Sequence, residues 1–223
     1  MSFVEMNRLA LASGGTLYLM VVLAFVGITV IVDRGIRLLR THAKSERMLR
    51  QIEAMSSIDA RQAEQLGEAA NGLPMQEVLL AYAASRSRPG VTDLDNALEE
   101  AIYRMVPGID RGVWVLETVI TVAPLLGLFG TIVGMFHAFD VLGAPGENAM
   151  NVTSGVAEAL IATAAGLAIA MSHLWFYNAM QETVRKSVHQ LETLKRVLMN
   201  RQDTHVAVAH ASDLTLHRSQ LRI

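Results

Sequence analysis

Two uncharged apolar runs joined by a short Gly/Pro/Asn connector constrain this chain more than any other feature. They lie within Glu117–Tyr177, and neither Val119–Phe139 nor Ala159–Tyr177 contains an Asp, Glu, Lys or Arg. Each is long enough to cross a hydrocarbon core of about 30 Å, for which roughly 20 apolar residues suffice. The connector Gly143–Asn151 is too short to be a domain, so the runs are expected to form an antiparallel transmembrane hairpin. Their composition is unlike that of lipid-facing helices. Gly127, Gly130, Thr131 and Gly134 lie on the first, and Gly155, Ala159, Ala162, Thr163, Gly166 and Ala170 on the second, with Glu158 at its start. Small residues let backbones approach where no hydrophobic effect joins helices in lipid. This hairpin is made to pack against other helices and to hold polar groups within a membrane.

A third apolar run, Gly14–Val32, ends abruptly at Asp33-Arg34. A secretory signal would carry a basic lead, a shorter apolar core and small residues at a cleavage site. Here Glu5 precedes the run and Asp-Arg-Gly follows it, which reads as an uncleaved transmembrane helix. Hydrophobic residues make up 52% of the chain, gathered into these three runs, so an integral membrane protein is expected rather than a soluble domain. The absence of cysteine excludes a disulfide framework and thiolate chemistry. No basic patch with interleaved aromatics occurs, which argues against a nucleic-acid partner.

The rest of the chain reads as helix, with no strand-period segment. The first helix is expected to leave the bilayer through Leu38, Leu39, Met48, Leu49 and Ile52, at helical spacing. A helix near Asp59–Ala70 stops at Asn71-Gly72, Pro74 starts another over Met75–Ala84, and Thr92 or Asp93 can cap a further one. That helix places Leu94, Leu98, Ile102, Met105 and Val106 on one face until Pro107-Gly108 interrupts or bends it. Asn178–Gln202 is a charged amphipathic helix carrying Val184, Val188, Leu191, Leu194 and Leu198, and 203–223 reads as a solvated tail.

Basic residues set the expected orientation. The 34–111 segment holds 11 Lys and Arg and the tail after Tyr177 holds 7, whereas the hairpin connector has none. The resulting layout is an all-α membrane protein with a periplasmic lead (1–13), a first span (14–33), a cytoplasmic helical segment (34–112), a second span (113–142), a periplasmic connector (143–152), a third span (153–177) and a cytoplasmic helix and tail (178–223).

Glu158 is the first residue that could carry chemistry. An ionisable group within a span costs at least about 2.5 kcal/mol and so normally faces protein or water. With a third span starting near Val156, it is either an interfacial carboxylate favoured by the helix dipole or a group lining an ion path. Thr131 and Thr163 lie at similar depth. Their hydroxyls can bond a carbonyl one turn back, or they can line a narrow polar path. On an ideal helix Glu158 and Thr163 are five residues and about 140° apart, so both cannot point along one radius. Pro124 removes a backbone bond and bends the second span. His137 and His173 read as hydrogen-bonded packing residues, since their spacing gives no metal site. No nucleophile–base set, phosphate loop or paired carboxylate appears, so an enzyme is not expected, nor a cofactor.

At this point the hairpin resembles the MotA/TolQ/ExbB family of ion-driven membrane motor subunits. Ala123-Pro124-Leu125-Leu126-Gly127-Leu128-Phe129-Gly130-Thr131-Ile132-Val133-Gly134 carries the likeness in the second span. Gly155-Val156-Ala157-Glu158-Ala159-Leu160-Ile161-Ala162-Thr163-Ala164-Ala165-Gly166-Leu167 carries it in the third. The resemblance implies a homopentamer in the bacterial inner membrane, its second and third spans lining a pore that holds two single-span, ExbD-type partners. By the same likeness protons are the permeant ion, and Thr131, Thr163 and Glu158 line their path; the residues themselves assign Pro124 to bending and Gly127, Gly130, Gly134, Gly155, Ala159 and Gly166 to helix packing. Basic cytoplasmic helices could also hold anionic lipid headgroups. Three spans suit the ExbB/TolQ branch. ExbB duty would energise a TonB-type protein for outer-membrane nutrient import, and TolQ duty would drive the Tol–Pal envelope system. Leu125, Val133 and Ser154 depart from the usual residues of both branches. A passive membrane scaffold, whose small faces serve assembly alone, is the alternative from another class.

Overall fold

The computed structural model describes residues 15–87, 93–142 and 149–220, with side chains left aside at 140–142, 149–152, 154 and 202–220. Six helices account for nearly all of these residues: α1 (Thr16–Ala54), α2 (Ala60–Ala69), α3 (Met75–Ser87), α4 (Leu94–Ile109), α5 (Val113–Leu142) and α6 (Ala149–Gln220). No strand occurs among the described residues. Three of the helices are long and apolar enough to cross a membrane, within Thr16–Ala54, Val113–Phe139 and Gly155–Arg201. The lead (1–13) and most of the hairpin connector lie outside the described residues.

The chain divides into two compact units. The first comprises Met1–Ile36 and Gly112–Gln181 and contains the apolar part of each spanning helix. Its outward surface is made of large apolar side chains, among them Phe25, Leu125, Phe129, Phe136, Leu160 and Trp175. Small residues make the contacts along the α5–α6 seam, while Met20, Leu116 and Val119 are also buried in this unit. A Cβ added to Gly134 would lie 2.8 Å from that of Ala159, and one added to Gly155 would lie 2.8 Å from that of Ala138. Apolar side chains gain little by leaving lipid for one another, so close backbone approach supplies van der Waals contact between the helices.

The second unit, Arg37–Arg111 and Glu182–Ile223, has a conventional apolar core. Met48, Leu49 and Ile52 of α1, Ala63 of α2, Val78, Leu79 and Tyr82 of α3, Leu98 and Ile102 of α4, and Leu191, Leu194 and Leu198 of α6 are buried together with Ile58. Each fully buried Leu or Ile contributes about 1.5–3 kcal/mol relative to exposure. Local signals start these helices. The Asp59 carboxylate accepts from the Gln62 amide at 2.7 Å, and the Gln62 side chain accepts from the Asp59 amide at 3.1 Å, a reciprocal capping box. Of the two candidate caps of α4, Asp93 is the one used, accepting from the Asn96 amide at 3.2 Å.

One expectation is corrected. Pro107 does not interrupt α4, which runs on to Ile109. A proline in the last turn removes one intrahelical bond near an end where bonds are already missing, and the chain turns instead at Gly112, whose φ of +88° suits glycine. The first helix does run on through Leu38 and Leu39 to Ala54, with Leu39 exposed. The third candidate span begins at Gly155, next to the expected Val156, while its helix starts earlier, at Ala149. Helix continues over 203–220, within the stretch read as a solvated tail.

Candidate functional site

The site lies where α5 and α6 run against each other in the first unit. Gly127 and Gly166 make the approach possible. A Cβ on Gly127 would sit 2.9 Å from the Thr163 Cα and 3.0 Å from the Ala162 carbonyl oxygen, and one on Gly166 would overlap the Ala123 carbonyl. Backbones this close bring side chains of the two helices within bonding reach. The Thr131 and Thr163 hydroxyl oxygens are 2.9 Å apart.

Both hydroxyls also meet backbone carbonyls. Thr163 donates across the interface to the Gly127 carbonyl at 2.9 Å. Thr131 has its own helix's carbonyls of Leu128 and Gly127 at 2.8 and 3.2 Å. The back-bonding expected from sequence and the meeting of the two threonines therefore coexist. Two hydroxyl protons have two carbonyls and two hydroxyl oxygens to choose among. In one arrangement each hydroxyl donates to a carbonyl. In another, Thr131 donates to Thr163, which donates to Gly127. The two differ by rotation of the Thr131 hydroxyl hydrogen, with no heavy atom displaced. In the second arrangement the Thr131 oxygen keeps lone pairs open to an incoming donor. Thr131 is buried within the chain and Thr163 half-buried.

Glu158 is not drawn into this pair. Its side chain is half-buried on α6 and makes no hydrogen bond or ion pair among the described residues. Because α6 begins at Ala149 and its first turn carries no acid, the helix N-terminus gives Glu158 no support, since that field fades within the first turn. Pro124 lies within an unbroken α5. Gly130 faces Ala162 and Thr16, where a Cβ would lie 2.7 Å from the Thr16 hydroxyl oxygen.

The two membrane histidines part company. His173 is buried, with Nδ1 2.7 Å from the Ile169 carbonyl, in line with a hydrogen-bonded packing role. His137 is exposed, lies off the Gly134–Ala138 contact face, and meets Phe136 edge-on at 6.1 Å, so the packing role does not apply to it. Sequence reading missed Gly27, which sits against the His173 ring. A lone glycine in an apolar helix pattern often marks close approach, and that was the available signal. Among the described residues no group of acidic or histidine side chains could hold a metal.

This hydroxyl pair occupies the centre of a stretch with known relatives. Residues 74–193, more than half of the chain, match the model of the MotA/TolQ/ExbB proton channel family. The chain belongs to that family. It is similar to an ExbB-like biopolymer transport protein of Synechocystis, 37% identical over 113 residues, covering 49% of this chain and 53% of that one. It is similar to the biopolymer transport protein ExbB of Neisseria gonorrhoeae, 28% identical over 162 residues, covering 72% of this chain and 64% of that one. It is also similar to the Tol-Pal system protein TolQ of Haemophilus influenzae, 42% identical over 85 residues, covering 38% and 37% of the two chains. The chain thus spans about half of the Synechocystis relative and less than two thirds of the Neisseria one. As a MotA/TolQ/ExbB member it is a membrane protein of a proton channel family, and the matched residues take in the whole hairpin while leaving out the apolar part of α1.

Proposed function

We propose that this chain is the ExbB-like subunit of a proton-motive-force-driven motor in the bacterial inner membrane. Five copies surround two single-span, ExbD-type partners, and protons cross beside the hydroxyl pair. The motion energises a TonB-type protein for outer-membrane import of nutrients such as iron-siderophores and vitamins. The orientation puts the N-terminus in the periplasm and the two basic segments in the cytoplasm, following the distribution of Lys and Arg.

The observation that carries this reading is the Thr131–Thr163 contact: two hydroxyls able to redistribute their protons without moving a heavy atom, in a helix pair of a proton channel family. Glu158, half-buried and with no partner among the described residues, supplies a carboxylate on the same path. The close-packed glycines hold the two helices at the separation the hydroxyls need.

The test is proton flux into proteoliposomes containing the chain with its partner subunit. Thr131→Ala and Thr163→Ala should abolish flux while the complex still assembles. A passive scaffold would keep its activity in those variants and lose it in Gly130→Leu. TolQ duty is the second reading, favoured by the likeness to the Haemophilus protein. A deletion strain that fails on scarce iron supports the ExbB assignment, and one that becomes detergent-sensitive supports TolQ.

A further inference from the structure

Among the described residues of the three spans, His173 is the one titratable side chain that is buried, at 3% exposure. Its ring has a fixed sense. Nδ1 lies 2.7 Å from the Ile169 carbonyl oxygen, with the Ser172 hydroxyl 3.3 Å away. A carbonyl only accepts, so Nδ1 carries the proton, and in the neutral ring Nε2 is a bare acceptor. Nε2 is buried and has no hydrogen-bond partner among the described residues.

What lies against Nε2 is the backbone of Gly27 on α1, where an added Cβ would overlap the ring at Nε2 and Cδ2. Two absences allow this contact: residue 27 has no side chain, and the facing nitrogen has no hydrogen. Protonation of Nε2 ends the second. It adds a donor with no partner among the described residues and places a positive charge in a dry apolar contact. The titratable residues flanking this contact are Asp33 and Arg34 farther along α1, Tyr177 one turn along α6, and exposed Glu117 on α5. None of them bonds Nε2.

We infer that His173 and Gly27 form an acid-sensitive clasp between the first and third spanning helices, closed when the imidazole is neutral and released when Nε2 takes a proton. Histidine is the side chain whose unperturbed titration falls between about pH 5 and 8. The clasp is separate from the proposed proton path, because it sits on the α1–α6 contact, whereas Thr131 and Thr163 sit on the α5–α6 contact.

The chain has no cysteine, so spin labels can be placed at Leu19→Cys and Leu167→Cys, both exposed positions of these helices. The full-length protein in lipid nanodiscs is taken from about pH 8 to about pH 5, the span histidine covers. Pulsed electron resonance reads the label distance, and nitrogen-15 spectra of histidine-labelled protein, assigned with His173→Gln, read the ring. The expected result is a distance that lengthens over the interval in which the His173 signals pass from the Nδ1–H neutral form to the imidazolium. His173→Phe and His173→Leu should remove the pH dependence. Gly27→Ala, whose methyl would overlap the ring and displace either it or the helix, should likewise show no lengthening on acidification. A distance that stays constant while the ring titrates, a lengthening that survives in the His173 variants, or a ring that stays neutral throughout would each overturn the clasp.

Discussion

The Arg201 guanidinium donates to the Ile52 carbonyl at 2.6 Å and to the Glu53 carbonyl at 2.9 Å, so a side chain of the last helix closes the end of the first. The last carbonyls of a helix have no intrahelical donor, and a cation there also meets the negative end of the helix dipole. Ile52 accepts in addition from the Met55 amide at 3.2 Å, which leaves Glu53 most dependent on the arginine. Arg201→Ala should destabilise the second unit by about 1.5–3 kcal/mol, the usual value of hydrogen bonds from a charged group. Amide exchange near the end of α1 should speed up accordingly, and unchanged exchange there would contradict this capping role.

Glycines in this chain divide by what surrounds them. At Gly166 an added methyl would overlap the Ala123 carbonyl, and backbone cannot swing aside as the end of a side chain can. At Gly108, inside α4, nothing lies within 4 Å. Gly166→Ala should therefore cost about 1–3 kcal/mol as an overpacked contact, whereas Gly108→Ala should be neutral or stabilising by a few tenths, as alanine is the better helix former. Thermal melts of the two purified variants in one detergent separate these outcomes. Equal melting temperatures would show that α5 and α6 can part freely.

How far the sequence reached differs between the two units for a physical reason. In the soluble-type unit, an apolar stripe at spacings of three and four marks a buried face, and Leu94, Leu98, Ile102, Leu191, Leu194 and Leu198 are all in the core. Inside a bilayer that signal vanishes, because both faces of α5 are apolar, and small residues become the guide to contact. They pointed to Gly127, Gly134 and Gly166 but not to Gly27, whose partner is a histidine ring rather than another small residue. The depth of Thr131 and Thr163 could be counted from the ends of the apolar runs, and they do meet. The start of α6 could not be, because helix can extend through the polar residues before Gly155, and this altered the setting of Glu158.

The hydroxyl pair separates chemistry from packing through conservative substitutions. Thr163→Ser keeps the oxygen that donates to Gly127 and contacts Thr131, while Thr163→Val keeps the shape and removes both bonds. A donor that matters to the moving proton contributes about 1.4 kcal/mol or more, which is at least a tenfold change in rate. Thr163→Val should lower reconstituted proton flux by at least about that factor, with Thr163→Ser close to the unaltered chain. Loss in both variants, or in neither, would mean that the hydroxyl is not on the path.

Lys195 joins α6 to α4 through two carboxylates spaced one turn apart, Asp95 at 2.9 Å and Glu99 at 3.2 Å. Burial pulls its pKa down, but hydrogen bonds to Asp95 and Glu99 and their charges outweigh burial and hold the ammonium above the ordinary lysine value. The folded state thus binds this proton more tightly than the unfolded chain does. Its contribution is complete at neutral pH, begins to fade above about pH 10 where a free lysine titrates, and is gone once the pH passes the raised folded value. The Tyr82 phenol acts in the same sense, since burial foremost raises its pKa and its hydroxyl donates to the Ile58 carbonyl at 3.3 Å. Both carboxylates are well exposed, so solvent screening keeps the whole arrangement to about 1 kcal/mol. Lys195→Met should lower stability by about that amount at neutral pH and flatten the alkaline fall, while Tyr82→Phe should flatten it from the other side of the core. Chemical denaturation followed from about pH 7 to about pH 11 measures both slopes, and an alkaline slope unchanged in Lys195→Met would show that this lysine is bound no more tightly in the fold than out of it.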